Sequence, residues 1–244
     1  MRYIEAIGCL LLLSIAGHGS AESTQSEPEA VCEDLLERGR HLTSIDDPDI
    51  DALGVEKLRQ AVEICGSAEV SPETRARALM TTVRLFHGDY AKQRQMWGEA
   101  LALLRDHAPD SRLLLRALEG LSGAAASEGD SDEAVRLAFE AHEESQRIFG
   151  AESRDYIRGL TFVALTYQWL AEVHSPEQNL AEAQRYAEEA MDRARRVLGL
   201  RDGTTMAAAA ALHWVLSKRG YAERAEELER ETAPYVDLED PLDF

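Results

Sequence analysis

Small and apolar residues recur along this sequence at helical spacing, and one stretch can be laid over another. Ala134, Leu137, Ala138 and Ala141, followed by Ile148-Phe149-Gly150, return as Ala183, Tyr186, Ala187 and Ala190, followed by Val197-Leu198-Gly199. Arg136 and Arg185 recur at the same offset. Spacings of three and four place these side chains on one helix face. Self-similarity on this scale predicts an array in which each helical unit buries its apolar face against the next. The pattern predicts a helix pair over 30–42 and 53–65, joined by an acidic loop over 44–51. Ser71-Pro72-Glu73 opens a third helix with a cap residue and a first-turn proline. That helix runs to Gly88, and the next ends near Asp106. Further helices are expected over 110–127, 131–149, 153–173, 180–198, 203–218 and 221–231, with Ser131 as an N-cap.

The turns set a repeat of about 42 residues, a length that suits paired helices. Gly88, Gly129 and Ala171 are evenly spaced to within one position. Gly220 lies farther from Ala171 than that step allows, and the excess sits around Glu172 to Gln178, where Ser175-Pro176 marks an enlarged turn. One unit carries Ala117, Leu118, Leu121, Ser122, Ala125, Gly129, Ala134, Ala138 and Ala141. The next has Leu160, Val163, Ala164, Tyr167 and Ala171, then Ala183, Ala187 and Ala190; the last has Ala209, Leu212, His213, Leu216, Gly220 and Ala225. With these residues the sequence resembles the tetratricopeptide repeat (TPR) family in its longer form, similar to the repeats of kinesin light chain. The resemblance spans 71–232 and is strongest over 117–199. It implies an all-α fold, a right-handed superhelix of stacked helix-turn-helix repeats. Two departures stand out: His213 replaces a small residue at a tight helix crossing, and Gln93 stands where an alanine is expected after Gly88. Distorted or capping terminal repeats are the expected result. Residues 30–70 match only as a generic helical hairpin.

Composition adds a leader and a tail. Only seven prolines interrupt the sequence, in keeping with an all-helical reading. Residues 7–16 form a short apolar run with four consecutive leucines, followed by Gly17-His18-Gly19-Ser20-Ala21. That reads as a signal peptide over 1–21 cleaved before Glu22, despite the acidic Glu5; an uncleaved anchor is the alternative. The expected location is periplasmic or secreted, with no stable membrane insertion after cleavage. Scarce lysine beside abundant arginine suits a bacterial source. Residues 22–29 read as a flexible leader, and 233–244 as a loose acidic tail. Cys32 and Cys65 then form an even pair in an exported protein, near the two ends that an antiparallel hairpin brings together. A disulfide between them closes a loop worth about 3–4 kcal/mol in the loop-entropy view; two buried thiols are the alternative. With 26 basic and 45 acidic residues the net charge is −19, which opposes generic binding to nucleic acid or anionic membranes.

Catalytic and metal motifs fail on inspection. His142-Glu143 begins like a zinc-protease helix, but Gln146 stands at the second histidine position. Gly120-Leu121-Ser122-Gly123 lacks the spacing of a nucleophile elbow. Asp47-Pro48-Asp49-Ile50-Asp51 lacks the turn glycine and closing glutamate of a calcium loop, with Ala52 and Leu58 in their places. The expectation is therefore a non-enzyme without metal or cofactor. One constellation follows the repeat register: Arg75, Arg116 and Arg158 stand at one constant offset before Gly88, Gly129 and Ala171, and Ala207 breaks the series before Gly220. The resemblance implies that this column faces the concave surface, together with Glu119, Thr161, Leu165 and Trp214. Guanidinium forks suit carboxylates, so an acidic peptide or the free carboxylate at the end of a polypeptide is the fitting ligand. Surface ion pairs with Glu119, Asp110 or Asp155 are the plainer alternative. The resemblance thus implies an interaction scaffold or adaptor binding a protein or peptide partner. The rival readings are a self-assembling envelope protein, through its edge or the 172–178 turn, and a small-molecule receptor or enzyme.

Overall fold

A computed structural model describes residues 26–45, 48–173 and 176–238. The signal peptide read over 1–21, the first half of the 22–29 leader and the end of the tail lie outside the described residues, as does part of the 44–51 loop. Ten helices follow in order: α1 (Glu27–Leu42), α2 (Pro48–Cys65), α3 (Pro72–Thr82), α4 (Tyr90–His107), α5 (Arg112–Ser127), α6 (Ser131–Phe149), α7 (Arg154–Val173), α8 (Pro176–Val197), α9 (Gly203–Lys218) and α10 (Ala222–Thr232). Short 3₁₀ turns follow α3 (Val83–Phe86) and α10 (Ala233–Leu238), and no strand occurs among the described residues.

Consecutive helices pack as antiparallel pairs, and each odd-numbered helix also touches the odd-numbered helices beside it. The layer whose members meet in this way lies on the inside of the array. Small residues make the close crossings feasible: Ala117, Ala125, Ala134, Ala183, Ala187 and Ala190 are fully buried. Leu118, Leu137, Ile157, Leu160 and Met191 fill the space between them. Each buried aliphatic side chain of this size is worth about 1.5–3 kcal/mol. The small residues contribute differently, because any larger side chain there forces the helices apart. Gly120 is the tightest case, since a Cβ there would overlap the Trp97 ring.

The turn glycines behave as their spacing predicts. Gly88, Gly129 and Gly220 have φ of 86°, 86° and 77°, in the region that side chains disfavour. At Gly129 and Gly220 the next residue returns a backbone bond across the turn, Asp130 N–H to Ala125 O and Tyr221 N–H to Leu216 O, both 2.9 Å. These are Schellman endings, which satisfy carbonyls left open at a helix C-terminus. The end of α3 differs. Gln93 donates its side-chain amide to Phe86 O at 2.9 Å, where the backbone has tightened into a 3₁₀ turn. The larger residue at that crossing thus shortens the α-helical part of the first repeat.

Three helix starts lie earlier than the pattern predicts. α1 begins at Glu27, which takes the end of the 22–29 leader into the helix; α2 begins at Pro48 and α8 at Pro176. Each has proline in its first turn. Proline lacks the N–H that a first-turn residue cannot use, so it opens a helix as readily as it marks a loop. The N-cap of α6 is Asp130, whose carboxylate accepts the Glu133 N–H; Ser131 is the first helical residue. Residues 233–238 form a 3₁₀ turn against α10, which shortens the segment read as a tail.

The two ends are built differently. Cys32 and Cys65 are disulfide-bonded, with Cα atoms 5.3 Å apart. Glu29 of α1 accepts hydrogen bonds from Ser71 Oγ (2.5 Å) and Thr74 Oγ1 (2.9 Å), tying the hairpin to the first turn of α3. At the other end, His213 stands where α9 crosses α10, with Nε2 3.9 Å from Glu229. A cavity of about 730 Å³ opens there, lined by His213, Trp214, Leu228 and Thr232 among others. The His213 ring thus lines the gap between the last two helices. Along the outer layer, Arg94 pairs with Glu128 and Asp130, Arg105 with Glu140, and Arg195 with Glu231. These pairs are solvent-exposed, so each contributes no more than about 1 kcal/mol.

Candidate functional site

The inner helices α5, α7 and α9 enclose a groove of about 650 Å³. Arg116, Glu119, Arg158, Thr161 and Leu165 line it, so five of the seven residues singled out for the concave face come together. The register explains why: Arg116 and Arg158 stand one full repeat apart. Arg158 Nη2 lies 3.4 Å from Glu119 Oε1, without hydrogen-bond geometry. The buried Nε and Nη2 atoms of Arg158 consequently make no hydrogen bond. Arg116 forms no ion pair among the described residues. Burial, and then the nearby Arg158, push the Arg116 guanidinium below its usual range. Burial pushes the Glu119 carboxyl up, against the pull of Arg158 and Arg116. One carboxylate thus sits between two guanidiniums in a partly desolvated cleft, where Coulomb interactions are stronger than in bulk water.

The other two residues, Arg75 and Trp214, line different cavities from this groove. Arg75 lines a separate cavity of about 400 Å³ with Val62 and Cys65 of α2 and Met96 and Glu99 of α4. The last turn of α2 ends there, leaving a gap beside α4 that the arginine borders. Trp214 belongs to the cavity at the end of the array, with Lys218 Nζ 5.3 Å from its ring centroid. Thr161 is buried and donates its hydroxyl to Ile157 O at 3.1 Å, so it shapes the wall without offering a free donor. Leu165 is 45 % exposed and supplies an apolar spot in the groove.

The groove also contains residues that the single arginine column leaves out. Arg112 and Arg154 stand one helical turn before Arg116 and Arg158, and are themselves one repeat apart. Each is neutralised. Arg112 Nε donates to both oxygens of Asp155 at 3.0 and 3.1 Å, and Arg154 pairs with Asp202. The repeated Arg-x-x-x-Arg spacing is the signal that marks these residues as one site. The first turn of α9, Gly203 and Thr204, closes the groove, and its helix dipole adds positive potential there. The arrangement can accept carboxylates through Arg116 and Arg158. Among the described residues no group of three or more His, Cys, Asp or Glu could hold a metal ion, and no helix is long and apolar enough to cross a membrane.

The fold is that of a TPR-like repeat solenoid. No family model and no curated protein matches the sequence. Among solved structures it is similar to a putative kinesin light chain with nearly identical TPR-like repeats from Podosopora anserina. A point-substituted form of that protein aligns with a TM-score of 0.66 at 16 % identity, over 86 % of this protein and 96 % of the other. A second structure of the same protein gives 0.64 at 17 % identity, with the same coverage. BtubC (BKLC) from P. vanneervenii aligns with a TM-score of 0.54 at 17 % identity, over 90 % of this protein and 77 % of the other. At these identities the likeness speaks for the fold alone.

Proposed function

We propose that this protein is an exported bacterial adaptor, an interaction scaffold that holds an acidic segment of a partner protein in the α5–α7–α9 groove. The observation that carries the reading is Arg116. It is a guanidinium without an ion-pair partner among the described residues, beside the hydrogen-bond-poor Arg158, on a protein of net charge −19. Two guanidiniums that share the single carboxylate of Glu119 in a partly desolvated cleft leave an excess positive charge that a bound carboxylate offsets. The exposed Leu165 gives an apolar side chain of the partner a place beside the anion. Export rests on the apolar leader alone and places the partner in the periplasm or outside the cell.

A pull-down from envelope extract tests this, with wild type beside Arg116→Glu/Arg158→Glu and Arg75→Glu. The groove variant is expected to lose the captured partner while keeping its helicity, and Arg75→Glu is expected to retain it. Equal capture by all three proteins would remove the groove from the interaction.

A further inference from the structure

The last inner helix has the wrong exterior for its position. Through the run Met206-Ala207-Ala208-Ala209-Ala210-Ala211-Leu212, α9 is apolar around its whole circumference, which suits a helix enclosed by neighbours; its polar positions lie in the turns before and after. It nevertheless has a neighbour on one flank only, because α7 packs on it and no later inner helix follows among the described residues. The repeat register shows what is uncovered. Ile157, Thr161 and Gln168 of α7 are buried where α9 lies on them, and Gln168 donates to Ala211 O at 2.7 Å. Shifted by the step from Ala171 to Gly220, the same positions in α9 are Met206, Ala210 and Ser217. Met206 is only half-buried, and Ala210 and Ser217 are exposed. Solenoids ordinarily end in a repeat with a polar outer face. Among the described residues, the last face of this array is instead built like an internal joint.

We propose that this face is closed by the same face of a second copy, in a two-fold symmetric end-to-end dimer. Three observations favour that occupant. The first is continuity: the equivalent surface of α7 receives a helix rich in small residues, and α9 is itself such a helix, so two copies supply each other with the missing neighbour. The second is charge. Each copy has a net charge of −19, yet the rim of this cavity holds one acid, Glu229, against Lys218 and the partly exposed His213. Two copies can meet here without the like-charge repulsion that the rest of their surfaces imposes. The third is shape, because the cavity of about 730 Å³ between α9 and α10 lies beside the half-buried Trp214. A two-fold axis can bring each Trp214 to the cavity of the other copy, which is the form of contact that dominates interface energetics. This proposal uses the end of the array and is independent of the arginine groove.

Sedimentation velocity of the full protein, followed from low to high micromolar concentration, tests it. The expected result is a single step from monomer to dimer, with no larger species. Ala210→Glu is expected to weaken dimerisation by about tenfold or more, since a carboxylate would be buried unpaired on the axis. Ser217→Glu provides a second variant at an exposed site if the first loses helicity. Val31→Glu, on the exposed surface of α1 at the opposite end, is expected to leave the dimer intact. A monomer at all concentrations, an open-ended ladder of species, or a dimer indifferent to both α9 variants overturns the proposal.

Discussion

The two ends of this array solve the same problem by different means. An end helix pair has a neighbour on one side only, so it receives about half the packing that an internal pair receives. The N-terminal hairpin compensates covalently, through Cys32–Cys65, and through the Glu29–Ser71–Thr74 hydrogen bonds to the first repeat. The C-terminal pair has no covalent tie among the described residues; it is joined to the preceding repeat by Gln168 donating to Ala211 O and by Arg195 pairing with Glu231. It has the ring of His213 at its crossing, an open cavity, and an inner helix whose middle, Met206 to Leu212, is apolar all round. In a quasi-one-dimensional fold each pair answers mainly to its neighbours, so the ends can differ without affecting the middle. One end is finished within the protein, and the other is left as a joint.

The comparison can be broken most sharply by removing the covalent tie. Cys32→Ser/Cys65→Ser is expected to destabilise the α1–α2 hairpin by about 3–4 kcal/mol. Hydrogen exchange should show lost protection in α1 and α2 with α9 and α10 unchanged; equal loss at both ends would mean that they are coupled. At the other end, His213→Ala restores the small residue that the crossing lacks. It is expected to raise amide protection in α10 by about 1 kcal/mol as the helices close, measured in the same way. A drop in protection would show that the ring fills more space than it forces open. The smallest effect concerns pH. Hydrogen bonds from Ser71 and then Thr74 hold the Glu29 carboxyl below the ordinary glutamate value of 4.5. The unfolded protein therefore binds this proton more readily than the folded one. The joint between hairpin and first repeat is fully stabilised above that value and loosens as pH falls through the lower folded one. Glu29→Gln should flatten this acid-side slope in α1 exchange while leaving α10 exchange as it was.

What could be read in the residues beforehand was whatever depends on local geometry. Gly129 and Gly220 marked turns because positive φ admits little else, and the limits of α6 and α9 followed from the pattern directly. The same reasoning took Ser71-Pro72 as a helix start but read the Ser175-Pro176 and Asp47-Pro48 pairs as loop. All three prolines open helices, because a first-turn proline gives up no hydrogen bond and the residues after it continue the helical pattern. For the groove, repeat register was enough to bring Arg116 and Arg158 together. It was not enough for Arg75, because the hairpin before it is not a true repeat and leaves a different gap. Arg112 and Arg154 stand in the adjacent column, which carries the same period as the column of Arg116 and Arg158.

Among the intra-repeat turns of the array, the one between α7 and α8 alone contains no glycine, and the extra length of its repeat lies in the helices on either side, α7 reaching Val173 and α8 starting at Pro176, rather than in an enlarged turn. Val173, at its near edge, is 50 % exposed. The other turns are fixed by a backbone conformation that only one residue tolerates well, so added length there would break the ending of a helix. Between α7 and α8 no such glycine has to be preserved, and the helix faces on either side keep their own phase. This is the splice site of the molecule. A tag, a reporter domain or a second recognition loop can be grafted there while the layers on both sides remain in step.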